Sequence, residues 1–208
     1  MDGSTIFTEQ VSRKPNRYPW TDQFIEAMHN GFWTDKEFSF KSHKFYKDSK
    51  KQYLYALILF TLFVENVSLF SQFYIINWFA RNKNVLKDTD QQVKYTRNEE
   101  NIHALVGIKI INTIREEHPE LFDEELEERI LHEAEEALIA ESKIVDWMVN
   151  GYKENGLNAN LLKGFIKNRI ISSLEQIGFK APYEVDNDAL EATMWFEEEL
   201  MGNNMADF

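Results

Sequence analysis

Residues Tyr53 to Ala80 form one of the most apolar stretches of the chain, hydrophobic on nearly every helical face from Leu54 to Phe79. A helix patterned this way predicts a central position in a bundle. Asp48 or Ser49 can cap it, and it runs to about Arg81. Asn82 to Asp90 reads as a polar turn. A second helix follows from about Gln91 to Glu117, with Val93, Glu100, His103, Gly107 and Ile110 on one stripe. His118-Pro119 ends it. Glu120 to Asn150 is amphipathic, with Leu121, Leu131, Ala134, Leu138, Ile144 and Trp147 facing inward, and Gly151 to Gly156 breaks it. Asn158 can cap a helix over Ala159 to Gln176, closed by Gly178. Ala189 to Met201 reads as a last short helix or an extended tail.

Upstream the pattern is weaker. Residues 1–20 form a polar arm, 22–31 a short helix, and 34–49 an irregular Lys-rich stretch. The expectation is therefore an arm over 1–20 and one all-α domain over 21–208. Scarce Gly (8) and Pro (4) favour long helices over a many-stranded sheet.

The absence of cysteine excludes disulfides, thiolate metal sites and Cys nucleophiles, and points to a reducing, cytoplasmic setting. A net charge of -12 argues against nucleic acid as a partner. Thirteen acids against Arg129 and Lys143 lie between Glu116 and Asp146, and such a run reads as a solvated helix face. The apolar helix is long enough to span a bilayer. Glu65, Asn66, Gln72 and Asn77 within it would be costly there, so it reads as the core of a soluble bundle with no membrane partner.

Glu65 is the informative residue. A lone carboxylate inside a core helix is expensive unless a metal, a cation or several donors compensate it. Glu100-Asn101-Ile102-His103 follows on the next helix, and residues at i and i+3 share a face, so both can reach one ion. Oxygen donors with one imidazole suit iron or manganese. This reading needs Glu65, Glu100 and His103 to meet in a dry interior. A lone Glu-x-x-His pair is a weak signal: Glu26 and His29 share the spacing, on a short polar helix where a surface role is expected. His132 reads as a surface ion pair, and His43 and His118 lie in no ligand set. Serine-hydrolase, P-loop and dinucleotide motifs are absent.

The runs KKQYLYALILFTLFVENVSLFSQF, RNEENIHALVG and NRIISSLEQIGF, with RYPWTDQF and GFWTDKEF upstream, resemble the radical-generating small subunit of class I ribonucleotide reductase. The resemblance spans about Tyr18 to Glu199. It implies a ferritin-like bundle of long antiparallel helices holding two iron ions, or manganese plus iron. Such a centre oxidises a nearby tyrosine or stores the oxidising equivalent itself. The equivalent passes to a large catalytic subunit that reduces ribonucleotides, and the small subunit is a homodimer. By resemblance, Glu65, Glu100 and His103 match metal ligands. Glu99 falls where the family has an acid that orients the ligand His, and Trp33 where it has the radical-transfer tryptophan. The family also carries an earlier half-site: an Asp or Glu, a first Glu-x-x-His helix, then the radical tyrosine. Nothing between Trp33 and Tyr53 can supply it, which implies an internal gap near 42–51. No motif marks Tyr46, Tyr53, Tyr55 or Tyr74 as the radical site. Two other readings stand beside this one: a ferritin-like remnant with an assembly role and no complete metal site, and another ferritin-like oxidase or iron-storage protein.

Overall fold

The computed structural model describes residues 49–206, with side chains over 50–199. The expected arm, the helix over 22–31, Trp33, Tyr46 and His43 lie outside the described residues. The chain divides into two compact units, Met1–Gln52 and Tyr53–Phe208; the second carries the packing described below.

All regular structure among the described residues is helical. The apolar stretch is one rod made of α1 (Ser49–Leu59), a π-helical segment (Phe60–Ser68) and α2 (Phe70–Lys83). Leu54, Ile58, Leu62, Val67, Phe70 and Tyr74 are fully buried along it. The expectation that it is enclosed on all sides needs correction. Phe60, Val64 and Leu69 are 46%, 37% and 41% exposed, so one side of the rod faces out. By length and hydropathy Lys50–Lys83 could cross a membrane, yet 56% of its most apolar window is buried against other helices, as in a core helix.

The turn expected over Asn82 to Asp90 shrinks to Asn84–Leu86, with Asn84 and Leu86 both left-handed (φ 58° and 59°). Asp88 and Asp90 belong instead to the first turn of α3 (Lys87–Glu117), where carboxylates complement the helix dipole. A 3-10 turn over Pro119–Leu121 delays the next helix, and α4 runs Glu124–Val149 rather than from Glu120. Its cap is Asp123, whose side chain accepts from the Leu126 N–H at 3.0 Å. The buried stripe of α4 is Leu126, Ile130, Ala134, Glu141, Val145 and Val149. Ile144 and Trp147 are exposed instead, because the stripe passes through Glu141 and Val145. Acids such as Glu124, Glu128 and Glu136 do form a solvated face. Glu141 is the exception, and is buried.

α5 spans Ala159–Gln176 as expected, with Asn158 accepting from the Leu161 N–H at 3.0 Å. At its end Gly178 adopts φ +78°, and the Phe179 and Gly178 N–H groups return to Leu174 O and Glu175 O. This geometry satisfies orphan helix carbonyls, and a left-handed residue there favours Gly. The last segment is a full helix, α6 (Asn187–Ala206). Phe196 anchors it against Tyr74 and Phe165, with ring centroids 5.4 and 5.7 Å away. The Arg97 guanidinium, wholly buried, lies over Phe196 at 4.7 Å and donates to Asn77 Oδ1 at 2.9 Å.

Asp123→Ala and Asn158→Ala should each destabilise the chain by about 1 kcal/mol, and should add because the caps lie on separate helices. Urea unfolding followed by circular dichroism checks both the size and the additivity.

Candidate metal centre

Glu65 projects from the π segment, and Glu100 and His103 from α3. Ligand-type atoms of all three lie within 4.8 Å of one another. His103 Nδ1 is 3.4 Å from Glu65 Oε2 and 3.4 Å from Glu100 Oε2.

Local packing brings the two helices this close. Gly107 stands on α3 opposite Thr61 of the π segment, and a Cβ at Gly107 would overlap the Thr61 side chain. Only the missing side chain allows the approach. The π segment is held from its other side by α5. Arg169 Nε donates to the Asn66 carbonyl at 2.8 Å, and its Nη2 donates to Asn66 Oδ1 at 2.8 Å. Asn66 Nδ2 donates to Ser173 Oγ at 2.7 Å. A π turn loosens the regular ladder, so a guanidinium on the carbonyl next to Glu65 fixes the segment's register. Arg169 itself lies over Phe70 at 3.6 Å and pairs with Glu197 at 2.7 Å. One turn past Glu65, Ser68 Oγ donates to the buried Glu141 at 2.9 Å, and burial pushes that carboxyl up.

The electrostatics are those of an under-compensated acid pair. Burial, then the hydrogen bond and charge of Glu100, push Glu65 up to about 7 from an ordinary value of 4.5. His103 is raised as well, first by its contact with Glu100. Two carboxylates and an imidazole converge with a proton among them, and a hard or borderline cation would replace that proton.

The interior is not dry, which corrects the expectation. The side chains of Glu65, Glu100 and His103 are 14%, 23% and 61% exposed, so the cluster opens outward at the imidazole. The reason is the uncovered side of the rod and of α3. Glu99 is exposed and makes no hydrogen bond to His103. Glu26 and His29 lie outside the described residues. His118 pairs with Glu120 at 3.0 Å, and His132 is exposed. Sequence reasoning missed Arg169 and Glu141, and set Gly107 on the stripe of Glu100 and His103 without its packing role. Arg169 and Glu141 could have been flagged as Glu65 was, as charges at helical core positions; Gly107 could have been read as a glycine inside a helix where only close packing justifies one.

A helical bundle with a carboxylate–imidazole cluster between neighbouring helices defines the ferritin-like class. Within it, this chain belongs to the family described as ribonucleotide reductase, small chain, which matches residues 41–193. It is 30% identical over 137 residues to the ribonucleoside-diphosphate reductase subunit beta of Chlamydia pneumoniae, covering 65% of this chain and 39% of that protein. Among solved structures it is similar to the ribonucleotide reductase R2 subunit from Clostridium botulinum, with TM-score 0.65 and 25% identity over 76% of this chain and 49% of that one. A putative class I ribonucleotide reductase from Bacillus halodurans shares the fold at TM-score 0.64 and 20% identity, over 82% and 55% of the two chains. The chain thus spans about half the length of these structures and less of the curated relative.

Two tests address the cluster. In the metal-free chain, folded Glu65 holds a proton between pH 4.5 and about 7 that the unfolded chain has released. His103, raised above 6.5, acts in the same direction. Stability should therefore fall as pH rises through this window, by about 2 kcal/mol between pH 5 and 8. Glu65→Gln should flatten that slope and be neutral or stabilising at pH 8, as read by urea unfolding at both pH values. Gly107→Ala should cost about 1–3 kcal/mol by overpacking, and Thr61→Ala in the same chain should recover part of it in thermal melts.

Proposed function

We propose that this chain carries the metal-holding second half of a ribonucleotide reductase small subunit, with Glu65, Glu100 and His103 as ligands. The observation that supports this most strongly is the convergence of the three donors from two helices within 4.8 Å. The donor set fits iron or manganese. When bound, a pair of iron ions, or manganese with iron, would supply the one-electron oxidising power that a large catalytic subunit needs to reduce ribonucleotides to deoxyribonucleotides.

The chain's own residues prepare for that role. Glu65 holds a proton near neutral pH and releases it as a cation arrives, so uptake is coupled to pH. His103 offers Nδ1 toward both carboxylates. Arg169 and Asn66 keep the Glu65 backbone in register, and the contact of Gly107 with Thr61 sets the spacing between the helices. Trp33 is proposed as the relay of the oxidising equivalent, and Glu99 as a supporting carboxylate once the site is covered. Work in the cytoplasm, a homodimer and a large-subunit partner belong to the same proposal.

A second reading, an assembly scaffold of the same family without redox chemistry, is favoured by one observation. The described residues offer three ligands on an open face, fewer than two ions require. Metal analysis of the purified full chain separates the two. Under the first, iron(II) or manganese(II) is bound, and Glu100→Ala or His103→Ala lowers the affinity by at least about 10-fold. Under the second, calorimetry shows no specific uptake by the wild type.

A further inference from the structure

We propose that Glu197 of α6 is a positioning residue for the cluster, acting through Arg169 and Asn66, so that seating of α6 and uptake of a cation are coupled in both directions. This rests on the metal-binding reading above. The relay runs from α6 through α5 to the π segment by short bonds. Glu197 accepts from Arg169 Nη1 at 2.7 Å. Arg169, whose side chain is 10% exposed, spends Nε on the Asn66 carbonyl and Nη2 on Asn66 Oδ1, each at 2.8 Å. Asn66 donates Nδ2 to Ser173 Oγ, and that hydroxyl donates to the Arg169 carbonyl at 2.8 Å. The ring is closed, so Asn66 cannot turn without breaking charge-assisted bonds. Asn66 adjoins Glu65, and neighbouring Cα atoms are fixed about 3.8 Å apart. The relay therefore sets where the Glu65 carboxylate stands relative to Glu100 and His103.

Glu197 is the link that can vary. Among the described residues it is the carboxylate that pairs with the buried Arg169 guanidinium. A buried charge that loses its partner is strongly disfavoured, so Arg169 without Glu197 would not rest in the same place. Glu197 also has room to leave: with Asn66, Asn101, Arg169 and Leu190 it lines a cavity of about 330 Å³. The pair with Arg169 is the shortest charged tie of α6 among the described residues. Glu199, two residues on, stands 3.9 Å from Arg81 and 3.8 Å from Lys94 and Arg97. The rest of the seat is aromatic, with Trp195 under Arg81 at 4.8 Å and Phe196 under Arg97. Apolar burial is non-directional, so α6 can shift slightly while still docked, and the pair with Arg169 registers the shift. By reciprocity, a cation that needs Glu65 in place tightens α6 by the factor with which α6 tightens the cation.

The test uses the full chain and manganese(II) as the probe. Calorimetry should show Glu197→Ala weaker for manganese by at least about 10-fold, with helical circular dichroism unchanged. Glu197→Gln keeps an acceptor for Arg169 without the charge, and should fall between Glu197→Ala and the wild type. Glu199→Ala removes charged contacts of the same helix outside the relay, and should bind as the wild type does. In the wild type, manganese should slow hydrogen exchange of the α6 amides by about the same factor; in Glu197→Ala it should not. Wild-type affinity in Glu197→Ala, or an equal loss in Glu199→Ala, overturns the relay and leaves the metal reading standing. So does wild-type α6 exchange that is indifferent to bound manganese, a measurement that decides alone if Glu197→Ala does not fold. A wild type that binds no manganese overturns both.

Discussion

The energetic cost of two carboxylates side by side at a helix contact is the constraint on which the rest of this structure turns. Glu65 and Glu100 face each other with His103 between them, and Glu65 answers by holding its proton to about pH 7. Had the fold no use for a charge there, Gln at position 65 would pack as well at no electrostatic cost. Instead the chain supports the acid from two sides. Gly107 gives up its side chain to Thr61, and Arg169 sits on the carbonyl of Asn66.

The support acts on a π-helical stretch of backbone, Phe60–Ser68. Arg169 binds the Asn66 carbonyl within this stretch while stacking on Phe70. Arg169 is in turn fixed by Glu197 on α6, so α5 and α6 both contribute to where Glu65 points. The aromatic contacts of Tyr74, Phe165 and Phe196 lock the same three helices a few turns away. Site and core are therefore one mechanical unit.

Most of the helices were legible from periodicity and caps. Asn158, Gly178 and the run between them predicted α5 to the residue, because capping chemistry is local. The boundary errors have local causes too. Asp88 and Asp90 read as loop residues but serve a helix N-terminus, and Pro119–Leu121 spent a turn before Asp123 could cap α4. The cluster was legible because a carboxylate in an apolar helix is costly whatever surrounds it. Its openness was not, because hydropathy shows that a face is apolar and not whether another element covers it. Phe60, Val64 and Val106 look the same in sequence as Leu62, Val67 and Ile108, yet the first three are exposed and the last three buried. Arg169 offered only its charge at a helical core position as a signal, since its partner is a backbone carbonyl that no residue type marks.

On the metal-binding proposal, that exposed face matters more than any single donor of the cluster. The chain matches its family over 41–193 while spanning about half of its structural relatives, and the uncovered side is the side that bears the imidazole. A three-donor cluster at a wet surface binds a cation weakly, since water competes for each position and screens each charge. The same three donors under an apolar cover would face a lower dielectric, where both the repulsion between the acids and their attraction for a cation grow. Covering the face therefore drives Glu65 further from its ordinary value without metal, and toward full ionisation with it. On the metal-binding proposal, covering the surface and taking up a cation would be linked equilibria, each raising the free-energy gain of the other.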